Sequence, residues 1–292
     1  MTERPESPPI PASVAELHRA SPDGRAWLER LPTLVRELEE RWSLTLGAPF
    51  DGADVSTAWV APGVRADGSS AVLKIVIPHM EGEHEIDGLR FWNGEPTVHL
   101  LDADGASRAM LLERCQPGTT LRSLPEVDQD VVIAELLRRL WRVPSAPHRF
   151  RPLSVMIDAW IEETLADEAR WPDPGLVRDG LWMFEELAHG GADNALLATD
   201  LHAGNVLSAQ REPWLVIDPK PFVGDPAYDA TQHLVNCEAR MGRAPHETIA
   251  RFADLLKVDA ERIRLWMFAR AAAESRDEWS DEWMDLARAL AR

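Results

Sequence analysis

Apolar residues recur at helical intervals between residues 24 and 42, where Trp27, Leu28, Leu31, Leu34, Val35 and Leu38 line one side of "GRAWLERLPTLVRELEERW". Pro32 inside that run predicts a bend or a new helix start, because its ring removes an N–H from the ladder. The pattern then shortens. "WSLTL", "STAWVAP" and "SSAVLKIVI" read as strands separated by Gly and Asp. Helical spacing returns in "MEGEHEIDGLRFWNG", residues 80–94, which sets Ile86, Leu89 and Trp92 on one face. "TVHLLDAD" and "SRAMLLE" predict a further strand pair turning at Asp104-Gly105.

Beyond "RCQPGTTL" the character changes. Segments 128–143, 153–171 and 175–189 are long and helix-periodic, a polar gap follows at 199–205, and "PWLVID" reads as a short strand. From Pro226 onward three or four helices are expected, broken near Gly242 and Val258, with no internal repeat. The layout predicts an α+β protein. A small N-terminal antiparallel sheet lobe carries one helix, and a larger, mostly helical C-terminal lobe follows. The expected boundaries are a mobile tail over residues 1–12, a first lobe over 13–113 and a second over 114–292.

Composition narrows the function classes. With 292 residues, 45% of them hydrophobic, the chain can bury a full core. Cys115 and Cys237 are too few for a secreted disulfide framework, so reduced thiols in a cytoplasmic protein are expected. "MTERPESPPIPAS" at the start is polar and proline-rich, and no run approaches the roughly 18 apolar residues of a membrane span. A formal charge of −18 argues against a nucleic-acid partner; it suits a cationic small molecule or a merely solvated surface. Glu274, Asp277, Glu278, Asp281 and Glu282 near the C-terminus read as a solvated helix face, with a site for amines as the alternative. Of the 12 tryptophans, Trp160, Trp182 and Trp266 fall on apolar helical stripes and are expected in the core.

The chemistry concentrates in "LLATDLHAGNVL", residues 196–207, and in the strand behind it. Asp200 and Asn205 stand five apart, and Asp218 ends an apolar strand thirteen residues later. Phosphoryl transfer asks for such a set: a carboxylate beside the attacking hydroxyl, and hard oxygen ligands for Mg²⁺. Asp200 fits the first part, Asn205 and Asp218 the second. Only three basic residues are lysine, and one of them, Lys74, sits inside the apolar strand "AVLKIVI", where a charge needs a partner. A strand lysine reaching nucleotide phosphates and paired to a helix glutamate belongs to the same chemistry.

Three stretches carry a family resemblance: "AVLKIVIPHMEGEHEIDGLRFW", "MLLERCQPGTTL" and "DLHAGNVLSAQREPWLVIDPKPFVGDPAYD". Over roughly residues 40–240 the chain resembles the aminoglycoside phosphotransferase superfamily, in its streptomycin 6-kinase and hydroxyurea phosphotransferase branch. The resemblance implies a two-lobed protein-kinase-like fold that binds ATP and Mg²⁺ and phosphorylates a hydroxyl of an antibiotic-like small molecule. Lys74 would meet the α- and β-phosphates, with Glu85 as its helix partner in preference to Glu81 and Glu83. Glu113 and Cys115 would hydrogen-bond adenine through their backbones, and "GAPFDGADVS", residues 47–56, would cover the phosphates. Within "GDPAYD" Asp225 is expected to be structural, fixing the turn and the helix start at Pro226, while Tyr228 and Asp229 are expected to border the acceptor pocket.

This chain departs from the superfamily pattern at Ala198-Thr199-Asp200, where most members read His-Gly-Asp. The Thr199 hydroxyl is expected to replace lost loop contacts. Lys220 reads equally as a phosphate neutraliser and as a turn cap, and His202 as a loop histidine bonded to backbone. Two rival readings follow: a metallohydrolase built on Asp200, His202, Asp218 and Asp225, and a catalytically silent kinase-like nucleotide-binding or regulatory protein. The sequence does not set the acceptor, the choice of ATP over GTP, or the oligomeric state.

Overall fold

In the computed structural model, residues 9–51, 57–191, 194–274 and 279–291 are described. The chain divides into two compact units, residues 1–118 and 119–292. The division falls five residues later than the expected boundary because Thr119 is stitched to a strand of the second unit. Its N–H donates to Ser208 Oγ (3.0 Å), and its carbonyl accepts from Ser208 N–H (2.9 Å).

The first unit begins with helices α1 (Ala12–His18) and α2 (Pro22–Trp42). Ser21 caps α2 by accepting from Gly24 N–H at 3.0 Å, and Pro22 occupies the first turn, where no N–H is needed. The helix runs on through Pro32 without a new start. Leu31, Val35 and Leu38 on either side of it are buried against the sheet, and their packing outweighs the one missing ladder bond. The sheet comprises β1 (Leu44–Leu46), β2 (Ala58–Arg65), β3 (Ser70–Val76), β4 (Leu100–Asp104) and β5 (Ala109–Glu113), with helix α3 (Glu85–Trp92) between β3 and β4. Its order among the described residues is β1-β2-β3-β5-β4, and every neighbouring pair is antiparallel. Ala71, Leu73 and Ile75 of β3 join Trp59 and Ala61 in the core facing α2. Period-two alternation therefore turns Lys74 to the opposite face. Of the tail expected over 1–12, residues 1–8 lie outside the described residues. Pro9 and Ile10 are anchored: Trp59 Nε1 donates to the Pro9 carbonyl at 3.0 Å, and Ile10 packs on the core.

The second unit continues with α4 (Glu126–Leu140), α5 (Leu153–Ala166) and α6 (Pro174–His189). Short antiparallel pairs follow, β6 (Ala195–Leu197) with β9 (Phe222–Gly224) and β7 (Val206–Ser208) with β8 (Trp214–Val216). Five helices come last among the described residues, one more than expected: α7 (Pro226–Val235), α8 (Glu238–Arg243), α9 (Pro245–Leu256), α10 (Ala260–Ala273) and α11 (Asp281–Leu290). Helices α6 and α10 approach so closely that a Cβ on Gly180 would lie 2.7 Å from that of Ala272. Trp266 is buried as expected, beside Phe184, and Trp160 is half-buried, but Trp182 is 58% exposed. The α6 stripe is wider than the face its neighbours cover. No described helix is long and apolar enough to cross a membrane, and Cys115 and Cys237 are free thiols.

A buried ion cluster ties four of these helices together. Asp130 of α4 accepts from His233 Nε2 of α7 (2.8 Å), from both terminal nitrogens of Arg240 on α8 (2.8 and 2.7 Å), and from Arg251 Nε on α9 (3.2 Å). Asp130, His233 and Cys237 lie close enough to suggest a metal site. However, the Arg240 guanidinium already grips both Asp130 oxygens and reaches Cys237 Sγ at 3.1 Å, so a cation is in place. Burial alone would push His233 down; the hydrogen bonds to Asp130 and Cys237 prevail and hold its imidazolium up to about 9. Burial likewise pulls Asp130 up, yet His233 and Arg240 keep it far below the usual carboxylate range. A histidine raised above its unfolded value near 6.5 stabilises the fold fully below that pH and loses the contribution as pH passes about 9. The melting temperature should accordingly fall by roughly several degrees between about pH 6.5 and 9.5. Calorimetry on Asp130→Asn should show that decline flattened, whereas Cys237→Ser should retain it.

Candidate active site

Each unit contributes one group of charged residues. In the first, Lys74 Nζ donates to Glu85 Oε1 at 2.6 Å, and the two side chains are 6% and 1% exposed. Lys74 is held by its neighbours Val60 on β2 and Met110 on β5. Glu85 opens α3, where a carboxylate also meets the positive end of the helix. Of the three glutamates in the segment, the structure pairs Glu85 with Lys74; Glu81 and Glu83 sit in the preceding 3-10 turn, Glu81–His84.

Glu113 ends β5. Its N–H donates to the His99 carbonyl at 2.9 Å, and its side chain accepts from His99 N–H at 3.0 Å. A contact from this residue to adenine would therefore come from its carbonyl. Cys115 is half-buried just beyond. Of residues 47–56, Gly47 and Phe50 donate backbone bonds to Pro62 and Val60 on β2, while 52–56 lie outside the described residues.

In the second unit the loop between β6 and β7 is built around Asp229 of α7. The side chain is fully buried, and its Oδ2 accepts from Trp141 Nε1 (2.9 Å) and Ala198 N–H (3.0 Å). Its Oδ1 accepts from Thr199 N–H at 2.7 Å. Burial pushes Asp229 up to about 6, against those three donors, which favour its charged form. The Thr199 hydroxyl donates to the Lys220 carbonyl at 2.6 Å, and Lys220 N–H returns a bond to the Ala198 carbonyl at 2.8 Å. Thr199 is the hydroxyl replacement expected from sequence, with a further point of interest. Its φ of +48° is a left-handed conformation that a β-branched residue rarely takes, and most of the superfamily places Gly there.

Asp229 therefore holds the loop through a fully buried side chain. Tyr228 is likewise buried, with its ring edge-on to Trp266 at 5.1 Å. Both lie on α7, which is buried on nearly every side, with seven of its ten residues buried.

Asp200 emerges from this anchored segment with its side chain 31% exposed. Its Oδ1 accepts from Gln232 Nε2 at 2.8 Å. Asn205 Nδ2 donates to the Asp200 carbonyl at 2.9 Å and lies 3.4 Å from Asp200 Oδ2. Because Asp200 presents acceptors, the Asn205 amide must turn its NH₂ toward them, and its oxygen points away. The Asn205 carbonyl accepts from Ile217 N–H at 2.9 Å, which brings the neighbour of Asp218 alongside. Asp218 has a φ of +53° and is bonded through Oδ1 to Lys220 Nζ, a side chain 5% exposed. An amide oxygen and a carboxylate are donor types that a hard divalent cation takes.

His202 Nδ1 accepts from Gly204 N–H at 3.1 Å, as expected of a backbone-bonded loop histidine. Gly204 has no room for a side chain, since a Cβ would meet the His202 ring at 2.7 Å and the Arg122 guanidinium at 2.8 Å. Asp225 is committed elsewhere. It caps α7 through Ala227 N–H (3.0 Å) and accepts from Arg262 Nε and Trp266 Nε1. A two-metal hydrolase built on Asp200, His202, Asp218 and Asp225 therefore loses Asp225, while His202 keeps Nε2 within 3.9 Å of Asp200 Oδ1.

The sequence profile of the aminoglycoside/hydroxyurea antibiotic resistance kinase family matches residues 41–282. The chain belongs to that family. A streptomycin 6-kinase from Streptomyces glaucescens is 39% identical over 274 residues, covering 90% of this chain and 87% of its own length. A hydroxyurea phosphotransferase from Kitasatospora aureofaciens is 40% identical over 273 residues, 89% of this chain and 77% of its own. Among solved structures, the choline kinase LicA from Streptococcus pneumoniae matches with a TM-score of 0.62 at 16% identity, covering 88% of this chain and 98% of that one. That likeness bears on fold alone, and it agrees with the kinase-like α+β architecture read from the sequence. The family member described here is accordingly an ATP-dependent small-molecule phosphotransferase.

Gln232, Arg122 and Arg270 were not singled out by sequence reading. The available signal was Gln232 itself, a polar residue one turn beyond Tyr228 on a largely buried helix.

Asp229→Asn tests the anchoring of the loop. Asparagine sets an NH₂ against N–H donors in a site that held only acceptors. kcat should fall about 10- to 100-fold as the loop loosens, with ATP affinity kept within about twofold. Steady-state kinetics and titration calorimetry measure the two.

Proposed function

We propose that the enzyme transfers the γ-phosphate of Mg²⁺-bound ATP to a hydroxyl of an antibiotic-like natural product, with Asp200 as the group that accepts or orients the acceptor's proton. The observation that carries this reading is the Asp200–Asn205 pair, because it sets on one loop a partly exposed carboxylate and an amide whose NH₂ faces it, leaving the amide oxygen for another partner. Lys74, steadied by Glu85, would hold the α- and β-phosphates. Asn205 and Asp218 would hold magnesium, which when bound neutralises charge building up on the transferring phosphoryl group. Glu113 and Cys115 would meet adenine through their backbones.

Lys220 adds a second buried cation next to Asp218. Its charge would offset the anionic phosphates, in keeping with the more chemical of its two sequence readings. The acceptor class follows from the relatives, whose names record streptomycin and hydroxyurea. The excess of acidic over basic residues, 49 to 31, supports acceptors bearing amines or guanidines. A silent nucleotide-binding protein is disfavoured because Ala198 and Thr199, the one departure from the pattern, are fully bonded into the loop.

Wild-type protein with Mg²⁺-ATP should release ADP and add one phosphoryl group to streptomycin or hydroxyurea, read by mass. Asp200→Asn should lower kcat by about 10²-fold or more while retaining ATP binding. Persistent turnover in that variant would remove Asp200 from the proposed role.

A further inference from the structure

We propose that Gln232 is a positioning residue for Asp200, with its side-chain amide locked in the one productive orientation by the buried Arg270. The inference rests on the phosphotransferase reading above and extends it to a residue one layer behind the reacting groups. Gln232 sits on α7 between two charged side chains of opposite kind. Its Nε2 donates to Asp200 Oδ1 at 2.8 Å, and its Oε1 accepts from Arg270 Nη1 at 3.0 Å.

The orientation follows from the chemistry of the neighbours. A guanidinium has donors and no acceptor, and an ionised carboxylate has acceptors and no donor. A glutamine between them satisfies both in a single orientation, oxygen toward arginine and nitrogen toward aspartate. A flipped amide would set donor against donor and oxygen against oxygen. Arg270 is itself immobile. It is 4% exposed, its Nε and Nη2 donate to Glu274 Oε2 and Oε1 at 2.6 and 3.0 Å, and Nη1 also reaches Thr231 Oγ1 at 2.8 Å. Its guanidinium lies 5.7 Å from the Trp160 ring centre and 5.6 Å from that of Tyr228.

The chain Glu274–Arg270–Gln232–Asp200 thus transmits a rigid helix-to-helix contact between α10 and α7 to the plane of one carboxylate. Backbone bonds fix where Asp200 leaves the loop, and Gln232 fixes how its carboxylate is rotated. Such orientation matters most in a reaction where the protein contributes chiefly positioning.

Gln232→Glu and Gln232→Met separate this role from plain packing. Glutamate keeps an acceptor for Arg270, and so keeps the structural link, but turns a carboxylate toward Asp200. Methionine removes both bonds at similar length. The assays are phosphate transfer to streptomycin and, independent of any acceptor, ADP release with water as acceptor. Both variants should lose about 10- to 100-fold in kcat with the KM for ATP within about twofold of wild type, and Gln232→Glu should melt within a few degrees of it. Wild-type kcat in Gln232→Glu would overturn the proposal, even if Gln232→Met is impaired. If Asp200→Asn stays active, or wild type shows neither reaction, the functional reading fails and the positioning role with it. A dead Asp200→Asn beside a fully active Gln232→Glu leaves the functional reading intact and sinks the positioning role alone.

Discussion

Asp229 is a carboxylate shut away from water, and three N–H groups stand where its hydration would be. With its ionisation pushed up to about 6, keeping it charged at neutral pH costs on the order of 3 kcal/mol. The return is geometric. Two consecutive backbone N–H groups are drawn to one side chain, which forces Thr199 into a left-handed turn and sends Asp200 out of the buried segment. The Thr199 hydroxyl and the Ala198 carbonyl then clasp Lys220, so the segment carrying Asp218 is held to the same anchor. Every proposed catalytic group of the second unit depends on that carboxylate for its place.

Two buried lysines share a design. Lys74 with Glu85 and Lys220 with Asp218 are buried cation–carboxylate pairs, one in each unit. Pairs of this kind add little net stability, because desolvation of both partners offsets most of the attraction. Under the proposed function their value would lie in holding a cation ready for an anionic ligand. The Asp130 cluster shows the purely structural counterpart, in which Arg240, Arg251 and His233 surround one carboxylate and join four helices. Residue types alone do not separate the two uses. Location does, since Asp130 is sealed among helices whereas Asp218 remains 24% exposed at the end of a strand.

Much of the fold was legible in the chain. The α6 segment was read to within one residue, because Asp173 and Pro174 form a cap that depends on nearest neighbours alone. The strand carrying Lys74 and the helix carrying Glu85 were equally readable from alternating and helical periods. Misreadings came where a local pattern meets a distant partner. Pro32 did not break α2, because packing across the helix outweighed a local penalty. Trp182 lies on an apolar stripe yet faces solvent, since no element covers that edge. Asp229 meets Trp141, Ala198 and Thr199 only through the packing of α7, which no local pattern shows.

The sequence by itself determined the chemistry and its local spacing: an aspartate and an asparagine five apart, a strand-ending aspartate, a lysine in an apolar strand, and the family these belong to. Such features are encoded within one loop or strand, where covalent connectivity sets the distances. Tertiary structure decided which groups meet. It selected Glu85 from three glutamates, set Asp229 under residues 30 and 31 positions away, and brought Arg270 to Gln232 across 38 positions. Those choices depend on how helices are rotated and packed, a property of the whole folded unit that no short stretch of residues contains.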